Sequence, residues 1–273
     1  MRRVAIALLA LLLVLIAPQP ARAAGPPAVG ATEVAVLDAA TGRLLYGKNE
    51  RAPVHPASLT KMVTALVALE VGRLDDLVAI DVDARAMPRS TVMGLRPGMI
   101  LPLEDLLYGL MLPSGNDAAL AIARHLAGSE AAFVAMMNHR VHQMGLQQTH
   151  FVNPHGLDHP YHLSTAEDLA RIAREAMQNE HFVRIVSTLT WTVRADPPYP
   201  IANLNLLLGN YPGADGVKVG YTRRAGRAYA ASATRDGHRM IAVVLRSPNP
   251  AAESAALLDW AFAQRRADVE GAS

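Results

Sequence analysis

The sequence predicts an α+β fold, in which one antiparallel sheet is assembled from both chain ends around a helical middle region. Three observations carry this reading. Strand-like runs occur close to residue 33 and again beyond residue 215. Turn signals, including a D-G pair at Asp236-Gly237, join the runs at each end. Between them lie segments whose apolar residues recur at helical spacing and which begin on capping residues.

Residues 33–37 and 43–46 are short β-like runs, and the stretch 38–42 between them reads as a hairpin connection. The loop 49–56 leads into PASLTKMVTALVALEVG. Its apolar residues Met62, Val63, Leu66, Val67 and Leu69 describe a buried helix, with Gly72 as its stop. Residues 77–80 are predicted as a further strand. A helix over 102–111 carries Pro102 in its first turn and Glu104 and Asp105 behind it, where the helix dipole favours acids. Further helices are predicted after Asp117, from Ser129, and over 165–178 with Ser164 or Thr165 as the N-cap. The runs 215–221, 228–234 and 240–246 read as strands. The segment 251–266 closes the chain as an amphipathic helix with Leu257, Leu258, Trp260 and Phe262.

The chain opens MRRVAIALLALLLVLIAPQPARA, a basic start, an apolar stretch and an A-x-A site. This is the pattern of a secretory signal peptide over residues 1–23, cleaved after Ala23. The apolar stretch is shorter than the roughly 20 residues a spanning helix needs. Residues 24–273 then form one domain that is exported, periplasmic or secreted, with no stable membrane anchor after cleavage. Cleavage removes three arginines and no acids, leaving 23 Lys+Arg against 24 Asp+Glu, so the formal charge moves from +2 to −1. With no Lys/Arg-rich run elsewhere, nucleic acid is not expected as a partner. The absence of cysteine excludes disulfides and thiol chemistry from an exported domain that must rely on its core.

Three short motifs carry chemistry. Ser58 and Lys61 stand three residues apart at the start of the apolar helix, a spacing that sets side chains on one helix face. A lysine disfavoured as a cation by burial can take the proton of a serine hydroxyl and make it a nucleophile. Alone, the pair reads as a capping serine and a solvated first-turn lysine, and only the motifs that follow reverse that reading. Ser114-Gly115-Asn116 follows in a turn between two helices, where a hydroxyl and a carboxamide can face a cleft or simply cap the next helix. Lys218-Val219-Gly220 lies in a strand. Its backbone edge can pair with an extended peptide, its lysine can supply positive charge, and Gly220 permits close approach.

In this order the S-x-x-K, S-x-N and K-x-G motifs resemble the low-molecular-mass penicillin-binding proteins, the serine D-alanyl-D-alanine carboxypeptidases. The resemblance extends over PASLTKMVTALVALE, LMLPSGNDAALAIA, HFVNPHGLD, YPGADGVKVGYT, AGRAYAASATRDG and LLDWAF. Gly115 is similar to this family rather than to class A β-lactamases, which carry aspartate there. The resemblance implies a DD-peptidase/serine β-lactamase-like fold, peptidoglycan stem peptides as substrate, β-lactams as inhibitors and no cofactor. It implies Ser58 as acylated nucleophile, Lys61 as its base and Ser114 as proton relay. Asn116, Lys218, Val219, Gly220 and Tyr221 would bind substrate, with the backbone N–H groups of Ser58 and Tyr221 as the oxyanion hole.

Two departures stand out. Val219 occupies a position where the family usually has threonine, and the chain stops soon after LLDWAFAQRR, as in short single-domain members. Some of those are DD-endopeptidases that cut cross-links. A non-catalytic wall-binding homologue also fits. A zinc DD-peptidase is a further alternative, because His150, His155, His159, His162 and Asp158 crowd one segment.

Overall fold

The computed structural model describes residues 25–270. The signal-peptide reading of residues 1–23 falls outside them. Strands β1 (Glu33–Asp38) and β2 (Leu44–Lys48) pair as the predicted hairpin. The other end of the chain supplies β7 (Ala214–Thr222), β8 (Gly226–Arg235) and β9 (His238–Leu245). All neighbours run antiparallel in the order β2-β1-β9-β8-β7, so β1 pairs directly with β9 and joins the two chain ends. Two β-hairpins in the middle of the chain have no sequence expectation behind their pairing. They are β3 (Leu77–Ala79) with β4 (Ile100–Pro102), and β5 (Thr190–Val193) with β6 (Tyr199–Ala202).

Period-two alternation sends side chains to both faces of the large sheet, and both faces are covered. Ala35, Leu37, Ala230, Ile241 and Val243 point into the helical side. That side holds α1 (Lys61–Val71), α2 (Leu103–Met111), α3 (Asn116–Ala127), α4 (Glu130–Gln143), α5 (Ala166–Ala176) and α6 (Glu180–Ser187). Val34, Val36, Tyr229, Ala231, Ala242 and Val244 point the other way. They pack beneath α7 (Pro250–Glu270) through its Leu257, Leu258, Ala261 and Phe262. Among the described residues no helix is long and apolar enough to cross a membrane.

The predicted caps hold where a side chain can reach. Ser129 accepts from the Ala132 N–H and Thr165 from the Asp168 N–H. Gly128 ends α3 in the left-handed region at φ 73°. Asn179 caps α6, a short helix not predicted, by accepting from both His181 and Phe182.

Candidate active site

Lys61 is wholly buried at the first position of α1, while Ser58 lies one turn earlier on a 3₁₀ turn, Ala57–Thr60. The helix predicted to hold both residues thus begins with a tighter turn. The change leaves the pair facing each other, since i and i+3 eclipse in 3₁₀ geometry. Lys61 Nζ lies 3.1 Å from Ser58 Oγ, 2.6 Å from Asn116 Oδ1 and 2.7 Å from the His155 carbonyl oxygen. Burial, with Lys218 nearby as a second cation, drives the Lys61 amine well below its usual range. A neutral amine has two N–H groups and one lone pair. Once the amine has given up its charge, the Asn116 and His155 oxygens can take its two N–H groups and leave the lone pair for the Ser58 hydroxyl.

The 3₁₀ turn is held from behind. Ala57 adopts φ 49°, a left-handed conformation costly for a residue with a Cβ. Its carbonyl accepts from the Thr60 hydroxyl at 2.8 Å, and Thr60 Oγ1 lies 2.8 Å from His162 Nε2. The Val152 N–H donates to His162 Nδ1 at 3.0 Å, so the neutral ring carries its proton on Nε2 and donates to Thr60. Burial lowers His162 to about 3, which keeps that tautomer through the neutral range. Gly156 is also required here. At φ 89°, a Cβ would stand 1.9 Å from the Ala57 carbonyl oxygen.

The histidine-rich segment serves the site through its backbone as well as through the His162 ring. His155 offers its carbonyl to Lys61, and Pro154 offers its carbonyl to the Thr64 hydroxyl at 2.6 Å. Among the described residues no three His, Asp or Glu side chains converge as a metal-holding group.

Ser114 and Asn116 do not act as helix caps. Gly115 occupies the N-cap of α3, and no side chain caps it. Ser114 sits at φ 66°, and its buried hydroxyl has no hydrogen-bond partner although it lines the cleft. Asn116 is tied at both ends of its amide, since its Oδ1 accepts from Lys61 and its Nδ2 donates to Ser90 Oγ. An aspartate at 115 would not fit, because even a Cβ would meet Gly109 O and Asp117 Oδ1 at 2.8 Å.

Sequence reasoning passed over the strap 89–95. Thr91 donates its hydroxyl to the Ser114 carbonyl, and Asn116 N–H donates back to the Thr91 carbonyl. Asp117 accepts from the backbone N–H groups of Met93, Gly94 and Leu95, each at 2.9 Å. No local pattern in ARAMPRSTVMGL announces these contacts, because their partners lie more than twenty residues away.

β7 forms the opposite wall. Lys218 and Gly220 pair with Ala230 and Ala228, which face the helical side, while Val219 pairs with Tyr229 on the outer face. Gly220 is small because the Ser58 segment abuts it. A Cβ there would lie 3.0 Å from Ser58 N and 3.2 Å from Ala57 Cβ. Gly220 also lines the cleft, beside Val219 and Tyr221. Lys218 is buried, donates to the Val219 carbonyl at 3.1 Å, and is lowered by burial to about 7. Val219 and the 68 % exposed Tyr221 both line a cleft of about 480 Å³, which also includes Ser58, Ser114 and Asn116. Leu204, Leu206, Arg227 and Pro250 complete its far wall.

A family profile described as D-alanyl-D-alanine carboxypeptidase matches residues 20–249. D-alanyl-D-alanine carboxypeptidase DacB2 of Mycobacterium tuberculosis is 36% identical over 254 residues, covering 90% of this chain and 87% of that protein. DacF of Bacillus subtilis is 36% identical over 244 residues, covering 86% of this chain. The match spans 62% of the length of DacF. Among solved structures, the D-alanyl-D-alanine carboxypeptidase of Mycobacterium tuberculosis superposes with TM-score 0.82 at 34% identity, covering 90% of this chain and 96% of that one. The Streptomyces K15 DD-transpeptidase gives TM-score 0.82 at 30% identity, covering 88% and 100%.

Proposed function

The chain belongs to the D-alanyl-D-alanine carboxypeptidase family, and from that premise we propose that it removes the terminal D-alanine from peptidoglycan stem peptides through an acyl-enzyme on Ser58. The observation that carries the reading is the Lys61 amine, wholly buried and held by two carbonyl-type oxygens, with the Ser58 hydroxyl as its third neighbour.

Lys61 takes the Ser58 proton as Oγ attacks the scissile carbonyl carbon. The oxyanion forms between the backbone N–H groups of Ser58 and Tyr221, each typically worth about 2.7–4 kcal/mol. Ser114, whose hydroxyl has no other partner, passes the proton to the departing amine, and D-alanine leaves. Water then attacks the ester with Lys61 again as the base. That step releases the shortened peptide as a carboxylate and restores Ser58. Asn116 holds Lys61 in place, and Lys218 and Val219 meet the substrate from β7. A β-lactam enters as an acyl-D-alanyl-D-alanine mimic and is trapped at the ester stage.

In this reading residues 1–23 direct export and are removed, and the domain works on the wall outside the cytoplasm. The experiment is to incubate residues 24–273 with defined peptidoglycan fragments and weigh the products. Loss of one alanine from pentapeptide ends is expected, insensitive to EDTA. Cleavage confined to cross-linked dimers would favour the endopeptidase reading, which Val219 supports by lacking a hydroxyl. EDTA-sensitive cleavage would overturn the serine mechanism.

A further inference from the structure

β7 is an edge strand, and the two directions along it are unlike. Toward Gly216 it is covered. A Cβ on Gly216 would meet Val186 at 2.9 Å and Met177 at 3.4 Å, and Val217 and Lys218 are buried. Toward Thr222 it is open, with Tyr221 exposed. A peptide of several residues lying beside β7, with its reacting carbonyl at Ser58, has only the open direction in which to extend.

That direction ends among arginines. Arg223 and Arg224 from the β7–β8 turn, Arg227 from β8 and Arg246 after β9 surround a hollow floored by Ser247 and Pro248. Tyr221 and Arg227 line both this hollow and the catalytic cleft, so the two are continuous. Two carboxylates stand nearby. Glu33 lies 3.3 Å from Arg246, and Asp158 accepts from the Thr222 hydroxyl and the Arg224 backbone N–H. Arg227 donates to the Pro248 carbonyl at 3.0 Å. Among the described residues the guanidinium groups of Arg223 and Arg224 have no hydrogen-bond or ion-pair partner. Four guanidinium groups therefore face two carboxylates, and two of the four are free.

Resting on the carboxypeptidase reading, we propose that this hollow is a subsite for a carboxylate on the acyl part of the substrate. Guanidinium groups match carboxylate geometry with paired N–H donors. Arg223 and Arg224 follow directly on Thr222, the last residue of β7, in the turn to β8, so they stand just past the open end of the strand. The recognised acid is then carried one to three residues ahead of the scissile D-alanyl-D-alanine bond. A carboxylate there adds affinity without touching the reacting atoms, so its effect falls on KM and leaves kcat unchanged.

The test uses two synthetic peptides ending in D-Ala-D-Ala that differ only in whether one upstream carboxylate, two residues before that pair, is free or amidated. Wild-type protein should cleave the free acid with about tenfold higher kcat/KM, all of it in KM, the scale of one charge-assisted hydrogen bond. The double variant Arg223→Gln, Arg224→Gln should lose that preference and keep its rate on the amidated peptide. Calorimetry with Ser58→Ala protein measures affinity for both peptides without turnover. Equal affinities, or a preference that survives the double substitution, overturns the subsite. Failure of the wild type to cleave either peptide strikes the carboxypeptidase reading, while the affinity difference still judges the subsite. Unchanged peptide affinities in the double variant, with lost binding to phosphatidylglycerol vesicles, would reassign the arginines to a membrane surface and overturn the proposal.

Discussion

The two faces of the central sheet are built on different terms. On the outer face, Val34, Val36, Ala231, Ala242 and Val244 meet Leu257, Leu258 and Phe262 of α7 in a layer that is almost wholly apolar. On the inner face the same strands meet helices that bury Lys61, Asn116, Asp117 and His162 as well, while β7 turns the buried Lys218 inward. The first layer is stabilised by the removal of apolar surface from water. The second burdens the fold with two desolvated amines and with left-handed backbone at Ala57 and Ser114, and each such residue costs of order 1–3 kcal/mol. Buried amines and two strained residues, Ala57 and Ser114, thus lie where the proposed chemistry is, and the apolar face opposite offsets their cost.

The sharpest break between the faces should come from Ser58→Ala. Intact-mass analysis is expected to find one penicillin adduct on the wild type and none on this variant, with the thermal transition unmoved. A surviving adduct would mean another nucleophile. Lys61→Ala comes next, with acylation expected to slow by about 10²–10⁴-fold, the range for loss of a general base. Its wild-type counterpart carries a pH signature. Because burial holds Lys61 far below its ordinary value, acylation should persist at neutral pH and decline only on acidification, as the amine gains a proton. A decline already beginning at the ordinary lysine value of 10.5 would show that burial does not lower the Lys61 amine.

Core substitutions test the comparison in opposite directions. Leu258→Ala on the outer face should lower stability by about 2–5 kcal/mol and leave the acylation rate of the folded protein alone. Lys218→Met on the inner face should raise stability by about 1–4 kcal/mol at pH 6, since a buried charge is replaced by an apolar chain. The sign follows from linkage. Lys218 has a folded value of about 7, below its ordinary 10.5, so between these values the unfolded chain binds more protons and wild-type stability rises with pH. The advantage of methionine should therefore shrink from pH 7 toward 10.5, as denaturant titrations at several pH values would record. A gap independent of pH would show that Lys218 is not the titrating group.

The smallest effect is expected at Val219, where the two faces meet at the cleft wall. Val219→Thr restores the hydroxyl usual in the family at a position lining the cleft, where it can donate to the substrate's terminal carboxylate. Turnover of free D-Ala-D-Ala ends should rise by about tenfold, the low end for a hydrogen bond to a charged group, and more than cleavage of a cross-linked dimer. Equal change on both substrates would remove position 219 from carboxylate recognition and with it the support for an endopeptidase.

Much of this protein was legible before any coordinates. The sheet joining both chain ends, the hairpin over β1 and β2, and the helices begun by Ser129 and Thr165 follow from alternation, periodicity and capping, which are local properties. The pairing of Ser58 with Lys61 was legible for the same reason, since three residues of spacing suffice. The sequence could not reveal which acceptors hold Lys61, because Asn116 and the His155 carbonyl lie 55 and 94 residues away. Nor could it separate a capping Ser114 from a free hydroxyl, a difference decided by the strap around Thr91. Arg223, Arg224 and Arg227 already lie within five residues of one another, and Arg246 joined them only when β8 and β9 paired. Local pattern determines what each segment is, because propensity and spacing act over a few residues. Burial and the pairing of distant groups decide which amine loses its charge, which hydroxyl is free and which cations gather, and those are properties of the assembled fold alone.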